Sequence, residues 1–201
     1  MRFDNQNILV TGGMGGIGQA ICRAYAAEGG RVMVADLPQA LEAAEAFAAQ
    51  LGNGSSACIL DVTSEDQWVA AMDQIEAEFG RIDILVNNAG LYVPNIEFED
   101  MPLDIWKRHF AINVDGTFLG CKHAILRMKP HNNGAIVNIG SGMSIYANPT
   151  GAAYSGSKAA SLMTTRTAAR SAGKYNIRVN AVLPGAVATA MLMGNINDGS
   201  T

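Results

Sequence analysis

The chain has 201 residues, 49% of them hydrophobic and 16% charged, with a formal net charge of -4. That composition suits one compact domain with a sizeable core and argues against a disordered chain. The acidic balance argues against a general nucleic-acid surface, and no apolar run reaches the length of a membrane span.

Met1-Arg2-Phe3-Asp4 leads into Ile8-Leu9-Val10 without a long apolar segment, so we expect no signal peptide and a cytoplasmic protein. The first strand is predicted over Asn7 to Val10. It runs into Thr11-Gly12-Gly13-Met14-Gly15-Gly16-Ile17-Gly18 and a helix from Gly16 to Glu28. Glycines there let bare amides approach a pyrophosphate, and the helix N-terminus supplies partial positive charge. A structural tight turn is the plainer alternative. The spacing of Gly12, Gly16 and Gly18 is GxxxGxG, not GxGxxG.

The second strand, Val32 to Ala35, ends at Asp36, 18 residues after Gly18. A carboxylate there hydrogen-bonds the ribose hydroxyls of adenosine and repels a 2′-phosphate. Met14 and Leu37 supply no cation for such a phosphate, so NAD is expected over NADP. Capping of the helix after Pro38 is the alternative role for Asp36. A helix follows over Gln39 to Leu51. The third strand, Ala57 to Leu60, closes on Asp61-Val62, where Asp61 either binds the adenine amine or caps the next helix. Thr63-Ser64-Glu65-Asp66 reads as the N-cap and acidic first turn of a helix over Glu65 to Phe79. Gly29-Gly30, Gly52-Asn53-Gly54 and Gly80 fall where the first three helices should stop.

The fourth strand is predicted over Ile82 to Val86, and a long helix over Leu103 to Met128. Then come a strand over Ala135 to Ile139, a helix over Ala152 to Ala172, and a strand over Arg178 to Val182. The strands are apolar almost throughout, as strands covered on both faces should be. Their alternation with helices predicts an α/β fold: a Rossmann-like doubly wound parallel sheet with helices on both faces and right-handed crossovers.

Tyr154 and Lys158 are four residues apart in the last helix, so they share one face. A phenol, with a reference pKa of about 10, is a poor base at neutral pH. A fixed cation nearby favours the phenolate, which makes the pair a candidate proton-transfer device. Such pairs also decorate solvated helix faces. Cys22, Cys58 and Cys121 are far apart and odd in number, and read as small buried thiols. His109, His123 and His131 are in no ligand spacing and are expected at the surface or at helix ends; no metal site is expected.

Several motifs occur together and in order. Thr11 to Gly18 fits TGxxxGxG, Asn87-Asn88-Ala89-Gly90 fits NNAG, and Asn113 stands in Ile112-Asn113-Val114. Ser141 precedes Tyr154 by 13 residues, Tyr154 and Lys158 form YxxxK, and Pro184 to Thr189 fits PGxVxT. On these residues the chain resembles the short-chain dehydrogenase/reductase family, in its single-domain branch. One departure is Gly140-Ser141, where the family often has Ser-Ser.

The resemblance implies an oxidoreductase that moves a hydride between NAD and a secondary alcohol or ketone. Tyr154 would be the general base in oxidation and the acid in reduction. Lys158 would lower its pKa, helped by the positive nicotinamide ring, and bind the nicotinamide ribose. Ser141 would hydrogen-bond the substrate oxygen, with a strand-end cap as the alternative. Asn113 would hold a water that links Lys158 to solvent; a buried polar residue bonding backbone is the alternative. Asn87 is expected to tie adjacent strands together. On the cofactor side the resemblance implies Gly12, Met14, Gly16, Ile17 and Gly18 around the pyrophosphate. It puts Asp36, Leu37, Asp61 and Val62 around the adenosine. Asn88, Ala89 and Gly90 would line the approach. Pro184 and Gly185 would lie at the nicotinamide, Val187 bonding the carboxamide through its backbone and Thr189 through its hydroxyl.

Leu91 to Ile96, Gly142 to Thr150 and the segment after Gly185 are expected to form the substrate pocket. They contribute Tyr92, Val93, Met143, Ile145, Tyr146 and Met191, although several of these would serve equally to pack loops onto the core. Trp106, Phe110, Val114, Phe118 and Cys121 make one apolar stripe on the long helix. The family pairs this helix and the last one in a four-helix dimer contact, so a homodimer or homotetramer is expected. Family members continue past this length through another helix and a seventh strand. The expectation is thus a single domain over 1–201, short at its C-terminus and lacking that helix and strand. The rival readings are a non-catalytic NAD-binding regulatory protein and an epimerase or dehydratase of the extended family.

Overall fold

Parallel strands must be joined by crossovers, and each crossover helix has to bury an apolar stripe on a sheet face. The computed structural model describes residues 1–189 and has this form. Strands β1 (Asn7–Thr11), β2 (Arg31–Asp36), β3 (Ser56–Ile59), β4 (Ile84–Asn87), β5 (Gly134–Ile139) and β6 (Ile177–Val182) make one sheet among the described residues. Its order is β3-β2-β1-β4-β5-β6, with parallel pairing throughout. The helices are α1 (Gly16–Ala27), α2 (Leu41–Leu51), α3 (Glu65–Phe79), α4 (Leu103–Phe110), α5 (Gly116–Met128) and α6 (Ala152–Ala172). The Rossmann-like doubly wound fold is thus the one observed. The pocket residue Met191 lies outside the described residues.

The period-two alternation of a strand sends neighbouring side chains to opposite faces. Ile8, Val10, Val32 and Val34 pack with Cys22 of α1 and with Phe47 and Ala48 of α2. Leu9, Met33 and Ala35 pack on the other side with Trp68, Met72 and Ile75 of α3 and with residues of α5. Both faces are buried, so β1 and β2 read as unbroken apolar runs. β6 departs from that expectation. Ile177 and Val179 are buried, while Arg178, Asn180 and Val182 alternate outward.

The helices over Glu65–Phe79 and Ala152–Ala172 have the expected bounds, and Ser64 caps α3 by accepting from the Gln67 amide. The long helix expected over Leu103 to Met128 is interrupted. α4 and α5 meet through a π turn, Ala111–Asp115. The wider turn inserts one residue and rotates all that follows by about 100°. Trp106 and Phe110 stay stacked, with centroids 4.8 Å apart. Beyond the π turn the expected stripe splits: Cys121 is buried, whereas Phe118 is 52% exposed. The histidine expectation fails at His123, within α5, while His109 stands at a helix end as expected. His109 and His123 are buried, and only His131 of the three is exposed. Each buried ring has a polar partner, Ile105 O for His109 and Glu65 for His123. All three cysteines are free and buried.

Polar side chains cross-link the sheet interior. Asn87 Nδ2 donates to Asn138 Oδ1 at 2.8 Å, tying β4 to β5, and Asn138 Nδ2 donates to Thr165 Oγ1 of α6 at 2.9 Å. α5 approaches this network so closely that a Cβ on Gly120 would lie 2.2 Å from Asn87 Oδ1 and 2.8 Å from the fully buried Trp68 ring. Neither neighbour is free to yield, since Asn87 is tied to Asn138 and Trp68 Nε1 donates to Val62 O at 3.0 Å. Gly120→Ala should therefore destabilise the protein by overpacking, by about 1–3 kcal/mol. Urea unfolding should show a lower midpoint with unchanged slope; an unshifted midpoint would contradict this packing.

Candidate active site

In a doubly wound sheet the crevice opens at the C-terminal ends of the strands where the order reverses. Here that point lies between β1 and β4. The two strand ends are latched together. Thr11 Oγ1 accepts from the Asn88 and Ala89 amides, both at 3.0 Å, and Asn88 Nδ2 donates to Thr11 O and Gly12 O. Gly12 has φ +59, and a Cβ there would sit 2.9 Å from the Ala89 Cα. Gly18 is equally confined, with Gly12 O only 2.2 Å from where its Cβ would be. The glycines thus let strand, loop and helix close on one another. Met14 and Ile17 stand on the same turn. Gly15 caps α1 without a side-chain bond, and no acidic residue occupies the first turn. The positive end of α1 faces the crevice with no carboxylate of its own to neutralise it. Thr189 reaches the same place, its Cγ2 lying 3.0 Å from a Cβ built on Gly16.

Asp36 closes β2 beside this loop. Its Oδ2 accepts from the Met14 amide at 2.9 Å and its Oδ1 from the Leu37 amide at 2.8 Å. It does not cap the next helix, whose N-cap is Ala40. Asp61 Oδ1 accepts from the amide and the hydroxyl of Thr63, while Ser64 does the capping of α3. Val62 turns its side chain toward Gly116 and its carbonyl to Trp68, so its side chain is not part of the crevice. The bare amides, the unopposed helix end and the fixed carboxylate together fit a dinucleotide.

The second cluster gathers at the ends of β4, β5 and β6 with α6. Gly140 N donates to Val182 O and Gly142 N to Pro184 O, so the β5–β6 ladder continues on both sides of Ser141. Pro184 is held through its carbonyl in this way; Gly185 and Val187 follow, both exposed. The Ser141 hydroxyl accepts from the Met143 amide at 3.2 Å and caps a short 3-10 turn. The alternative expected for Ser141, a strand-end cap, is thus observed. The same side chain favours the ionised form of the Tyr154 phenol, against the effect of burial.

Lys158 is 5% exposed and donates from Nζ to Ile139 O at 2.8 Å. That Nζ lies 5.7 Å from the Tyr154 ring centroid. Asn113, fully buried in the π turn, donates from Nδ2 to Leu91 O and Ser157 Oγ and accepts at Oδ1 from the Leu91 amide. A Cβ on Gly90 would lie 3.3 Å from Asn113 Oδ1 and 3.4 Å from Lys158 Nζ, so a bare glycine is what leaves space between them.

One electrostatic expectation is corrected. Burial pushes the Tyr154 phenol above its ordinary value, with Ser141 opposing the rise and Tyr92 adding to it. Burial likewise pushes Lys158 down to about 8. In a dry site desolvation penalises both charged forms, and in the protein alone the lysine does not make the phenol acidic.

Four contributors to the site are not among the residues expected from the sequence. Thr11 was legible only as the first letter of the glycine motif. Ser157, the Ile139 carbonyl and His109 carry no local signal, because their partners are 44, 19 and 16 residues away.

The model of the short chain dehydrogenase family matches residues 6–199. A cyclopentanol dehydrogenase of Comamonas testosteroni is 39% identical over 191 residues, which is 94% of this chain and 76% of that protein. YuxG, an oxidoreductase of Bacillus subtilis, is 40% identical over 192 residues; these make up 92% of this chain and 27% of that relative. An NAD+-bound xylitol dehydrogenase superposes with a TM-score of 0.86 at 39% identity, over 92% of this chain and 72% of the other. ElxO with NADP bound superposes with a TM-score of 0.90 at 29% identity, over 98% and 79%. Sequence and fold agree along nearly the whole length, and the chain belongs to the short-chain dehydrogenase/reductase family, with the general role of an oxidoreductase.

Proposed function

We propose that the protein is an NAD-dependent dehydrogenase of secondary alcohols, with Tyr154 as the general acid/base. The observation that carries this reading is that Lys158 lies beside both the Tyr154 ring and the bare Gly90, with Ser141 acting on the same phenol. Bound NAD supplies the hydride acceptor and a positively charged ring. Tyr154 exchanges a proton with the alcohol oxygen, and Ser141 hydrogen-bonds that oxygen as its charge changes. Lys158, 5.7 Å from the centre of the Tyr154 ring, would bind the nicotinamide ribose, and the charge that favours the ionised phenol comes from the cofactor. Asn113, fixed by Leu91 and Ser157, offers Oδ1 to a water between Gly90 and Lys158, through which the proton reaches solvent.

The NAD preference rests on Asp36. Its carboxylate is anchored by two amides at the mouth of the glycine loop, and neither Met14 nor Leu37 brings a cation for a 2′-phosphate. Apolar walls from Tyr92, Val93 and Met143 favour a hydrophobic alcohol, and the relative that acts on cyclopentanol agrees with that class. Exposed Phe118, Leu126 and Met163 on α5 and α6 support a homo-oligomer built on those helices. No helix of the described residues is long and apolar enough to cross a membrane.

Tyr154→Phe should lower turnover of cyclopentanol with NAD by at least about 10²-fold, the scale of general acid–base catalysis, while NAD binding stays within a few-fold. Steady-state kinetics and NAD titration check this, and substantial retained turnover would refute the role. Asp36→Ala combined with Leu37→Arg should shift kcat/KM from NAD toward NADP. An unchanged ratio would remove Asp36 from cofactor selection.

A further inference from the structure

His109 is a fully buried histidine at the end of α4 that the mechanism above does not use. Its Nδ1 lies 2.8 Å from the Ile105 carbonyl oxygen and its Nε2 3.1 Å from the Val93 amide nitrogen. An amide N–H only donates, so Nε2 must accept; a carbonyl only accepts, so Nδ1 must carry the proton. The two partners therefore fix the neutral Nδ1–H tautomer. An imidazolium would set one N–H against another. Burial favours the same neutral form, Arg108 acts in the same direction, and the Ile105 carbonyl opposes them.

The amide that His109 holds belongs to the loop after Gly90. Leu91, two residues earlier, is held by Asn113 through both its amide and its carbonyl. Asn113 and His109 are four residues apart on one stretch of helix, and Leu91 and Val93 are alternate residues of the loop. One helix thus grips the loop on either side of Tyr92. The Tyr92 ring packs on Tyr154, with centroids 4.6 Å apart and planes tilted by 53°. The His109 ring meets Tyr154 edge-on, with centroids 6.5 Å apart. Further along, Ile96 makes an isolated parallel bridge to Gly151.

We propose that His109 is a positioning residue: by accepting from Val93 it fixes Tyr92 against Tyr154 and sets the substrate wall of the site. It acts on the alcohol side and leaves the glycine loop and Asp36 untouched. The kinetic part of this proposal rests on the dehydrogenase reading; the clamp itself does not.

The test compares the full chain carrying His109→Leu or His109→Gln with the unmodified protein. Leucine fills the space but offers no acceptor, while the glutamine Oε1 accepts from Val93. Hydrogen exchange at the Val93 amide should quicken by about tenfold in the leucine variant, the scale of one lost hydrogen bond. Its kcat/KM for cyclopentanol should fall by about tenfold, with KM rising more than kcat falls, and its NAD affinity should stay within about twofold. The glutamine variant should return to within about threefold of the unmodified protein in every readout. Unchanged Val93 protection in the leucine variant would overturn the proposal. So would a loosened loop with unaltered cyclopentanol kinetics, or NAD affinity falling in step with alcohol turnover. Should the leucine variant not fold, nitrogen NMR of the unmodified protein decides: an Nδ1–H ring supports the clamp, and an Nε2–H or charged ring at neutral pH overturns it. An unmodified protein that binds NAD yet oxidises no alcohol would sink the dehydrogenase reading, and the exchange and tautomer results would then decide the clamp alone.

Discussion

A lysine ammonium placed in a dry interior shapes the rest of the site. Lys158 reaches back from α6 to the Ile139 carbonyl at the end of β5, and that bond fixes the helix against the strand that presents Ser141. Removing water from an ammonium and from a phenolate penalises both, so burial lowers the lysine to about 8 and raises the tyrosine. The protein alone therefore keeps the tyrosine protonated at neutral pH. Ionisation of Tyr154 at working pH needs a further positive charge, and the dehydrogenase reading finds it in the oxidised nicotinamide. Chemistry and cofactor occupancy are then linked by electrostatics, without a moving part.

The crevice for that cofactor depends on close approach. Thr11 and Asn88 bind the ends of β1 and β4 to one another, at the reversal of strand order. Gly12 and Gly18 tolerate separations that any side chain would occupy. On the proposed reading, α1 presents its uncapped amides to the pyrophosphate and Asp36 lies at the adenosine end. Gly90 likewise leaves open the space that separates Asn113 from Lys158.

Much of the fold was legible because the rules that produce it are local. Two-faced burial makes β1 and β2 read as continuous apolar runs, and Ser64 with its acidic followers marks the start of α3. The π turn at Ala111–Asp115 was not legible. Its sequence, AINVD, looks like ordinary helix. The motif residues of the site were legible as types at fixed spacings, but their partnerships were not. His109 looked like a helix-end histidine because nothing near it in sequence reveals the Val93 amide. The sign of the Tyr154 shift was misjudged for a related reason: spacing gives the nearness of a cation, whereas desolvation depends on everything packed around the pair.

The central claim is that the cofactor's charge overrides burial at Tyr154. Ultraviolet difference titration of the phenol, with the Tyr154→Phe protein as the blank, measures this directly with and without saturating NAD. Ionisation is expected above the ordinary value of about 10 without cofactor and at clearly lower pH with NAD bound. A phenol that titrates at the same pH in both states, in a protein that nonetheless oxidises alcohol, would contradict it.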